Sequence, residues 1–494
     1  MIIKNNQDEI QSYLTDASNF KGKCDAVYIP ENEYELSELV KMLYESNLEF
    51  TIAGAGTGLT GGRVPQGGVV VSMEKFNKIL EINTNEEYVI VQSGVYLSEL
   101  LDELKTLKYF YPPDPTEKNC FIGGTIANNA SGAKTFKYGA TRNFVTELNL
   151  ILPDGDKLHL KLGENLAKDS KLKIITSAGK EIEITIPNIT SPLTKNAAGY
   201  FLKSNMDAID LFIGSEGTLG IITSAKIKIL PLPEKIISAV CFFENEIDAI
   251  KFIDEARTLS YSTRKENESD NIDALALEFF DNYSLKFLKD DFPQIPSSTN
   301  GAVWFEQEAN SDNEDKLIEK WFELITKYNC SDELVWFAAA EKERKEIEEF
   351  RHAISWKVNE YISKKNVRKL GTDVAVPDNE MIGFYNFLID KMKYSNLNYV
   401  LYGHLGNSHF HLNILPQNEQ EFLKGKDLYK EICTKAIELK GTISAEHGVG
   451  KIKREYLLDM YGEKIVNQMR DIKLKFDNKN LLNRGNLFFN QEEM

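Results

Sequence analysis

A chain of 494 residues is too long for one hydrophobic core, so two or three domains are expected. Its net charge of −17 repels nucleic acid and anionic lipid, which excludes both as partners held by general electrostatics. Hydrophobic content is an ordinary 42%, and no stretch approaches the roughly 18 apolar residues of a membrane span.

In chain order, residues 8–21 and 33–47 read as amphipathic helices; in the second, Leu36, Leu39, Val40 and Leu43 recur at helical spacing. A glycine-dense loop, TIAGAGTGLTGGRVPQGG, fills 51–68. Short β-rich runs follow at 69–73, 79–82 and 89–92, then a helix at 97–107. Pro112, Pro113 and Pro115 break the chain, and a second small-residue loop, GGTIANNASG, spans 123–132. Residues 144–160 alternate around Pro-Asp-Gly as a hairpin, 173–186 read as a strand pair, and 212–230 as a glycine turn feeding a strand. Beyond Pro231 and Pro233 the pattern is α+β: strands at 240–243 and 275–279, helices at 247–259, 315–327 and 341–361, and a surface loop at 265–273. A helix at 455–476 and a short terminal segment, NRGNLF, close the chain.

The five cysteines are scattered, odd in number and without a CxxC pair, so neither a disulfide framework nor a thiolate metal site is expected. The opening MIIKNNQDEIQSYL lacks the apolar run of a secretory signal. A cytoplasmic protein is the expectation.

Gly56-Thr-Gly58-Leu-Thr-Gly61 matches GxGxxG, but a dinucleotide fingerprint must open a helix. Here it runs into Gly62-Arg-Val-Pro65-Gln-Gly67-Gly68, which cannot be one. What remains is either a glycine-rich surface turn or a loop whose backbone N–H groups wrap a pyrophosphate. The second loop and a third, Gly214-Ser-Glu-Gly217-Thr-Leu-Gly220, are equally small, and together they suggest a large cofactor threaded between them. Four of the six histidines lie in YGHLGNSHFHLNILP (402–416) and TISAEHGVGK (442–451). As a strand, His409, His411 and Asn413 share one face. Two histidines and Glu446 suit zinc, with manganese or iron as alternatives; hydrogen-bonded interface histidines would leave the same pattern. His447 is either structural or a general base, and Arg351 either a solvated helix residue or a substrate contact.

The ordered motifs AGAGTGLTGG (53–62), PPDPTEKNCFIGGTIANNASG (112–132), KNAAGY (195–200), GSEGTLGI (214–221), KLGTDVAVP (369–377), GHLGNSHFHLN (403–413), SAEHGVGK (444–451) and NRGNLF (483–488) resemble the FAD-linked oxidase family with the PCMH-type flavin fold, in the vanillyl-alcohol oxidase superfamily. Within it they are similar to the D-2-hydroxy-acid dehydrogenases acting on D-lactate, glycolate or D-2-hydroxyglutarate. The resemblance implies an α+β fold: an FAD-binding domain of two α+β subdomains (1–233), an α+β cap over the substrate (234–440) and a helical C-terminal segment that completes the site (441–494). Gly54, Ala55, Gly56, Thr57 and Gly58 would cradle the pyrophosphate. Asp114, Pro115, Gly123, Gly124, Asn128, Ser131 and Gly132 would line the isoalloxazine and ribityl path, and Glu216, Gly220 and Ile221 the adenine side. Asn483 would return to the flavin. His404, His411 and Glu446 would hold the metal.

By the same resemblance, a small D-2-hydroxy acid, D-lactate first, would give its C2 hydrogen to FAD and its hydroxyl proton to His447. Arg351 would grip its carboxylate, with Lys369 and Asn413 assisting. Electrons would pass to an electron-transfer flavoprotein, a quinone or a cytochrome, and a homodimer is left open. Many members have Asp-Gly-Asn where this chain has Asn407-Ser408-His409, and Ala53 stands where an arginine is common. No histidine lies in the first glycine loop to tether the flavin, so FAD is expected to be non-covalent. A metal-dependent hydrolase and a non-catalytic electron carrier are the rival classes.

Overall fold

The computed structural model describes residues 1–338, 340–365 and 369–490. Its first sheet runs Ile2–Lys4, Ala26–Ile29, Val69–Ser72, Phe50–Ala53, with the last three mutually parallel. The parallel crossover is the helix Glu33–Glu45, started by Asn32, whose side chain accepts from the Glu35 N–H. Its Leu36, Leu39, Val40 and Leu43 pack on Phe50, Val69 and Val71, which is the reason for their helical spacing. A second, antiparallel sheet has the order Ile79–Asn83, Tyr88–Gln92, Ile221–Lys228, Val145–Ile151, Lys157–Lys161. The last two strands are the hairpin expected around Pro-Asp-Gly, with Gly155 at φ 85° in the turn. The strand pair Lys171–Ile175 and Glu181–Thr185 also forms as read.

The largest sheet lies further along the chain, in the order Val335–Phe337, Lys235–Phe243, Gly301–Ala309, Ala274–Asp281, Tyr399–Gly403, His409–Ile414, Leu370–Gly371, with Val374–Ala375 also paired to His409–Ile414. Strand alternation splits its two faces. Val240, Phe242 and Trp304 meet Phe350, Ile354 and Val358 of the helix Glu341–Lys365. Cys241, Phe243 and Phe305 meet Phe252 and Ile253 of the helix Glu246–Glu266 and Trp321 of the helix Glu314–Lys327. The helix Arg454–Phe476 then carries the chain back, and Leu481, Leu482 and Asn483 pair with Phe50 at the edge of the first sheet.

The structure departs from the sequence reading in several places. Residues 8–21 are not one helix: only Gln7–Ile10 and a turn at Gln11–Tyr13 form, because Asp16 is drawn away to the Gly61 and Ser18 N–H groups. The second small-residue loop begins as a short helix, Ile122–Ala127. The central strand Gly301–Ala309 was not expected, since Glu306, Gln307 and Glu308 interrupt its apolar run; Gln307 is buried by bonds to Trp321 Nε1 and the Asp273 N–H. The helices Met381–Ser395 and Glu419–Glu438 were also not read.

Candidate active site

The strands Tyr399–Gly403 and His409–Ile414 form a tight hairpin that sets Tyr402 opposite His411. Gly403 is required at its mouth: at φ 157°, an added Cβ would lie 2.3 Å from the His409 carbonyl oxygen. Ser408 takes the left-handed conformation at φ 51°, and its hydroxyl is held by Arg257 and Asp378, both at 2.8 Å. This turn brings His404, His409 and His411 into ring contact.

The segment 444–451 meets them from the other side. Glu446 Oε1 lies 3.4 Å from His404 Nε2, 3.2 Å from His411 Nε2 and 3.4 Å from His447 Nε2. Ligands about 2.1 Å from one ion at tetrahedral angles stand roughly 3.4 Å apart, so His404, His411 and Glu446 have the spacing of a metal site. Both rings are anchored by their other nitrogen, His404 Nδ1 on Glu278 Oε1 at 2.6 Å and His411 Nδ1 near the Thr372 carbonyl at 3.3 Å. Such anchoring leaves Nε2 to point at an ion. Burial would raise the carboxyls of Glu278 and Glu446, but neighbouring cations prevail. His404 and Arg351 hold Glu278 at about 2, and Lys195 and His404 hold Glu446 well below its ordinary range.

Asp373 organises the loop from below. Fully buried, it accepts from His409 Nε2 at 2.9 Å, Ser444 Oγ at 2.7 Å, Lys453 Nζ at 2.8 Å and the backbone N–H groups of Glu446 and His447 at 3.2 and 3.0 Å. His447 Nδ1 is 3.4 Å from its Oδ2. Burial opposes its charge, yet His447 and Lys453 keep it ionised.

The small-residue loops stand against this cluster. Ser131 Oγ reaches Glu446 Oε2 at 3.4 Å, and an added Cβ at Gly448 would lie 3.3 Å from Asn128 Oδ1. The glycines divide by role. At Gly54, Gly58 and Gly124 an added Cβ would meet open space or atoms no closer than 3.8 Å, the free surface a flat cofactor needs. At Gly56, Gly123 and Gly132 it would strike Arg63, Ser93 and the Asp114 carbonyl, so those glycines serve loop packing. Gly61, with Gly54 and Gly56, is tied down by Asp16, Arg63 and the Ala17 N–H. Ser93 Oγ, beside Gly123, is buried without a hydrogen-bond partner among the described residues. Ala55, Thr57 and Pro115 are half-buried along the same loops, and Asp114 pairs with Lys118 and Lys134.

Other expected contacts are placed differently. Both carboxylate oxygens of Glu216 accept backbone N–H groups, Val449 at 2.7 Å and Gly450 at 2.6 Å, and burial pushes its carboxyl up to about 7. The side chain braces the 444–451 loop, and the backbone N–H and carbonyl are bonded to Ala127 and to Asn483 and Asn486. Ile221 is packed in the core under the helix Glu33–Glu45, and a Cβ added at Gly220 would lie 3.4 Å from the Ile151 carbonyl oxygen. Asn483 Nδ2 donates to the Glu216 carbonyl at 3.0 Å and its Oδ1 accepts the Ile52 N–H at 2.7 Å.

Arg351 is not a solvated helix residue. It is buried, with Nε and Nη2 on Glu278 Oε2 at 3.3 and 3.0 Å and Nη1 on Thr116 Oγ1 at 2.9 Å. Its Nε–Nη2 edge therefore faces Glu278. Lys369, which burial pushes down to about 8, and the buried Asn413 flank Gly371, whose added Cβ would lie 3.3 Å from one and 2.6 Å from the other.

Sequence reading missed Glu278, Asp373 and Lys195. Asp373 and Lys195 lay inside TDVAVP and KNAAGY, and Glu278 was the one charge in the apolar run LALEFF. A charge in a strand buried on both faces is a signal in its own right.

Two family models match this chain: an FAD binding domain over residues 24–161 and the C-terminal domain of FAD linked oxidases over 232–487. The chain belongs to the FAD-linked oxidases and is an FAD-dependent oxidoreductase. Among curated proteins it is 31% identical to glycolate oxidase subunit GlcD of Bacillus subtilis (strain 168), across 96% of this chain and 92% of that one. It is 30% identical to D-lactate dehydrogenase of Anaerostipes hadrus, across 92% and 87%. With D-2-hydroxyglutarate dehydrogenase of Stutzerimonas stutzeri (strain A1501) the identity is 27%, across 97% and 95%. The fold is shared with an alkyldihydroxyacetonephosphate synthase structure, at a TM-score of 0.68 and 16% identity, covering 98% of this chain and 82% of that one. No described helix is long and apolar enough to cross a membrane.

Proposed function

We propose that this protein oxidises a small D-2-hydroxy acid, D-lactate first, to the 2-oxo acid. The observation that carries the reading is the convergence of His404, His411 and His447 Nε2 on one oxygen of Glu446, against the loop that holds Ser131. Residues 1–233 would bind FAD without a covalent tether, 234–440 would cover the substrate, and 441–494 would complete the site. FAD, when bound, supplies the acceptor for the hydride that leaves C2. His404, His411 and Glu446 would hold a divalent ion, zinc in the first instance, which would supply Lewis acidity toward the substrate hydroxyl.

The chain's own residues do the rest. His447, with Nδ1 3.4 Å from Asp373 Oδ2, would take the hydroxyl proton on Nε2. Arg351 holds the substrate carboxylate through the N–H groups that Glu278 leaves uncovered, with Thr116 fixing its angle. Lys369 and Asn413, both beside Gly371, would assist in binding the acid. Support for D-lactate comes from the D-lactate dehydrogenases among the relatives and from TDVAVP; glycolate and D-2-hydroxyglutarate are the nearest alternatives. An electron-transfer flavoprotein, a quinone or a cytochrome would take the electrons. The test is flavin bleaching by each acid in the absence of oxygen. Rapid bleaching by D-lactate is expected; a flavin that none of the three acids reduces would sink the proposal.

A further inference from the structure

His409 has donor atoms within 4.8 Å of those of His404, His411 and Glu446, which invites reading it as a third imidazole ligand. Its hydrogen bonds argue against that. The ring is fully buried, with Nε2 at 2.9 Å from Asp373 Oδ1 and Nδ1 at 3.4 Å from Lys195 Nζ. An ammonium only donates and an ionised carboxylate only accepts. The ring is therefore neutral, with its proton on Nε2 and its lone pair toward Lys195. Neither nitrogen is left for an ion.

Its partners lead back to the same place. Lys195 Nζ donates to Glu446 Oε2 at 2.7 Å. Asp373 accepts the backbone N–H groups of Glu446 and His447. The bonds form a closed circuit: Glu446 carboxylate, Lys195, His409, Asp373, and back to the Glu446 and His447 backbone. We propose that His409 is a positioning residue that closes this circuit, fixing the Glu446 carboxylate and the His447 ring against each other, and is not a metal ligand. Its geometry stands on the distances alone; its effect on rate rests on the function proposed above.

Three variants separate the two halves of the role. Asn at 409 places an amide oxygen near the Nδ1 position and keeps the Lys195 bond, but does not reach Asp373. Gln extends its amide nitrogen to the Nε2 position and gives up Lys195. Leu breaks both. Nitrogen NMR of the holoenzyme labelled in its histidine rings should show His409, identified by its loss in His409→Asn, as the Nε2–H tautomer. Loading with cadmium-113 should give metal–nitrogen coupling to two imidazoles, neither of them His409. Each of His409→Asn and His409→Gln should keep FAD and lower the saturating rate of flavin reduction by D-lactate about 10–100-fold with KM little changed, and His409→Leu more. Cadmium coupling to His409, an Nδ1–H tautomer, or wild-type rates in all three variants would overturn the proposal. A wild type that takes up no cadmium, or a flavin no hydroxy acid reduces, defeats the preceding reading alone, and the tautomer in the unmutated protein still decides His409. If the variants fail to fold, the His409 ring is assigned in the unmutated protein by correlation to its own backbone amide, and that same tautomer decides.

Discussion

Among the clustered imidazoles His447 is the most accessible, its side chain 28% exposed against 5% for His404, 12% for His411 and 0% for His409. On the proposed mechanism the base must hand its proton onward, and this ring combines a carboxylate near Nδ1 with a path outward. His447→Asn should retain FAD and metal and lose about 10²–10⁴-fold in the rate of flavin reduction, the contribution of a positioned base. Stopped-flow reduction by D-lactate measures this, and an unchanged rate would remove His447 from the mechanism. The motif EHG was legible in the sequence; Asp373, 74 residues away, was not readable as its partner, because strand pairing alone brings them together.

The strand Ala274–Asp281 is buried at every position, so Glu278 is tolerable only with its two cationic partners. Its ordinary carboxyl value of 4.5 falls to about 2 in the fold. A depressed acid stabilises the folded state above its unfolded value, and that stability is lost as pH falls through the folded one. The window is thus about pH 4.5 down to about 2, and the amount on the order of 3 kcal/mol. Glu278→Gln should be less stable than wild type by that order at neutral pH, with the deficit shrinking through this window. Urea midpoints of metal-free protein across pH test it; a pH-independent deficit would mean that the ionised carboxylate is not what matters there. Element types were largely readable, since the helix and strand periods of 33–47 and 144–160 reflect which face is buried. The strand Gly301–Ala309 was hidden because its polar residues find partners only in the folded sheet.

Across the whole molecule, the C-terminal segment ties distant parts together. Lys451 bonds the carbonyls of Gly61 and Gly62 and the Asn486 side chain, Asn486 bonds Gly62, and Asn483 joins Ile52 to Glu216. Asn483→Ala leaves the Ile52 N–H without this acceptor and the Glu216 carbonyl with Asn486 alone, at about 1–3 kcal/mol in all. The variant should unfold at lower temperature and release FAD faster than wild type. Thermal unfolding followed by flavin fluorescence reads both, and unchanged values would show that the segment is not a brace.

The sequence by itself determined the chemistry: small residues where a flat cofactor needs open backbone, histidines and Glu446 where donors must meet, and apolar periods that select helix or strand. These are local properties, carried by residue type and short spacing. Only the tertiary structure decided that Glu216 braces a loop, that Arg351 faces Glu278, and that His409 has both nitrogens engaged. Each depends on a partner far along the chain — Val449 and Gly450, Glu278, Asp373 and Lys195 — and a residue's type does not say which buried charge the fold will place beside it.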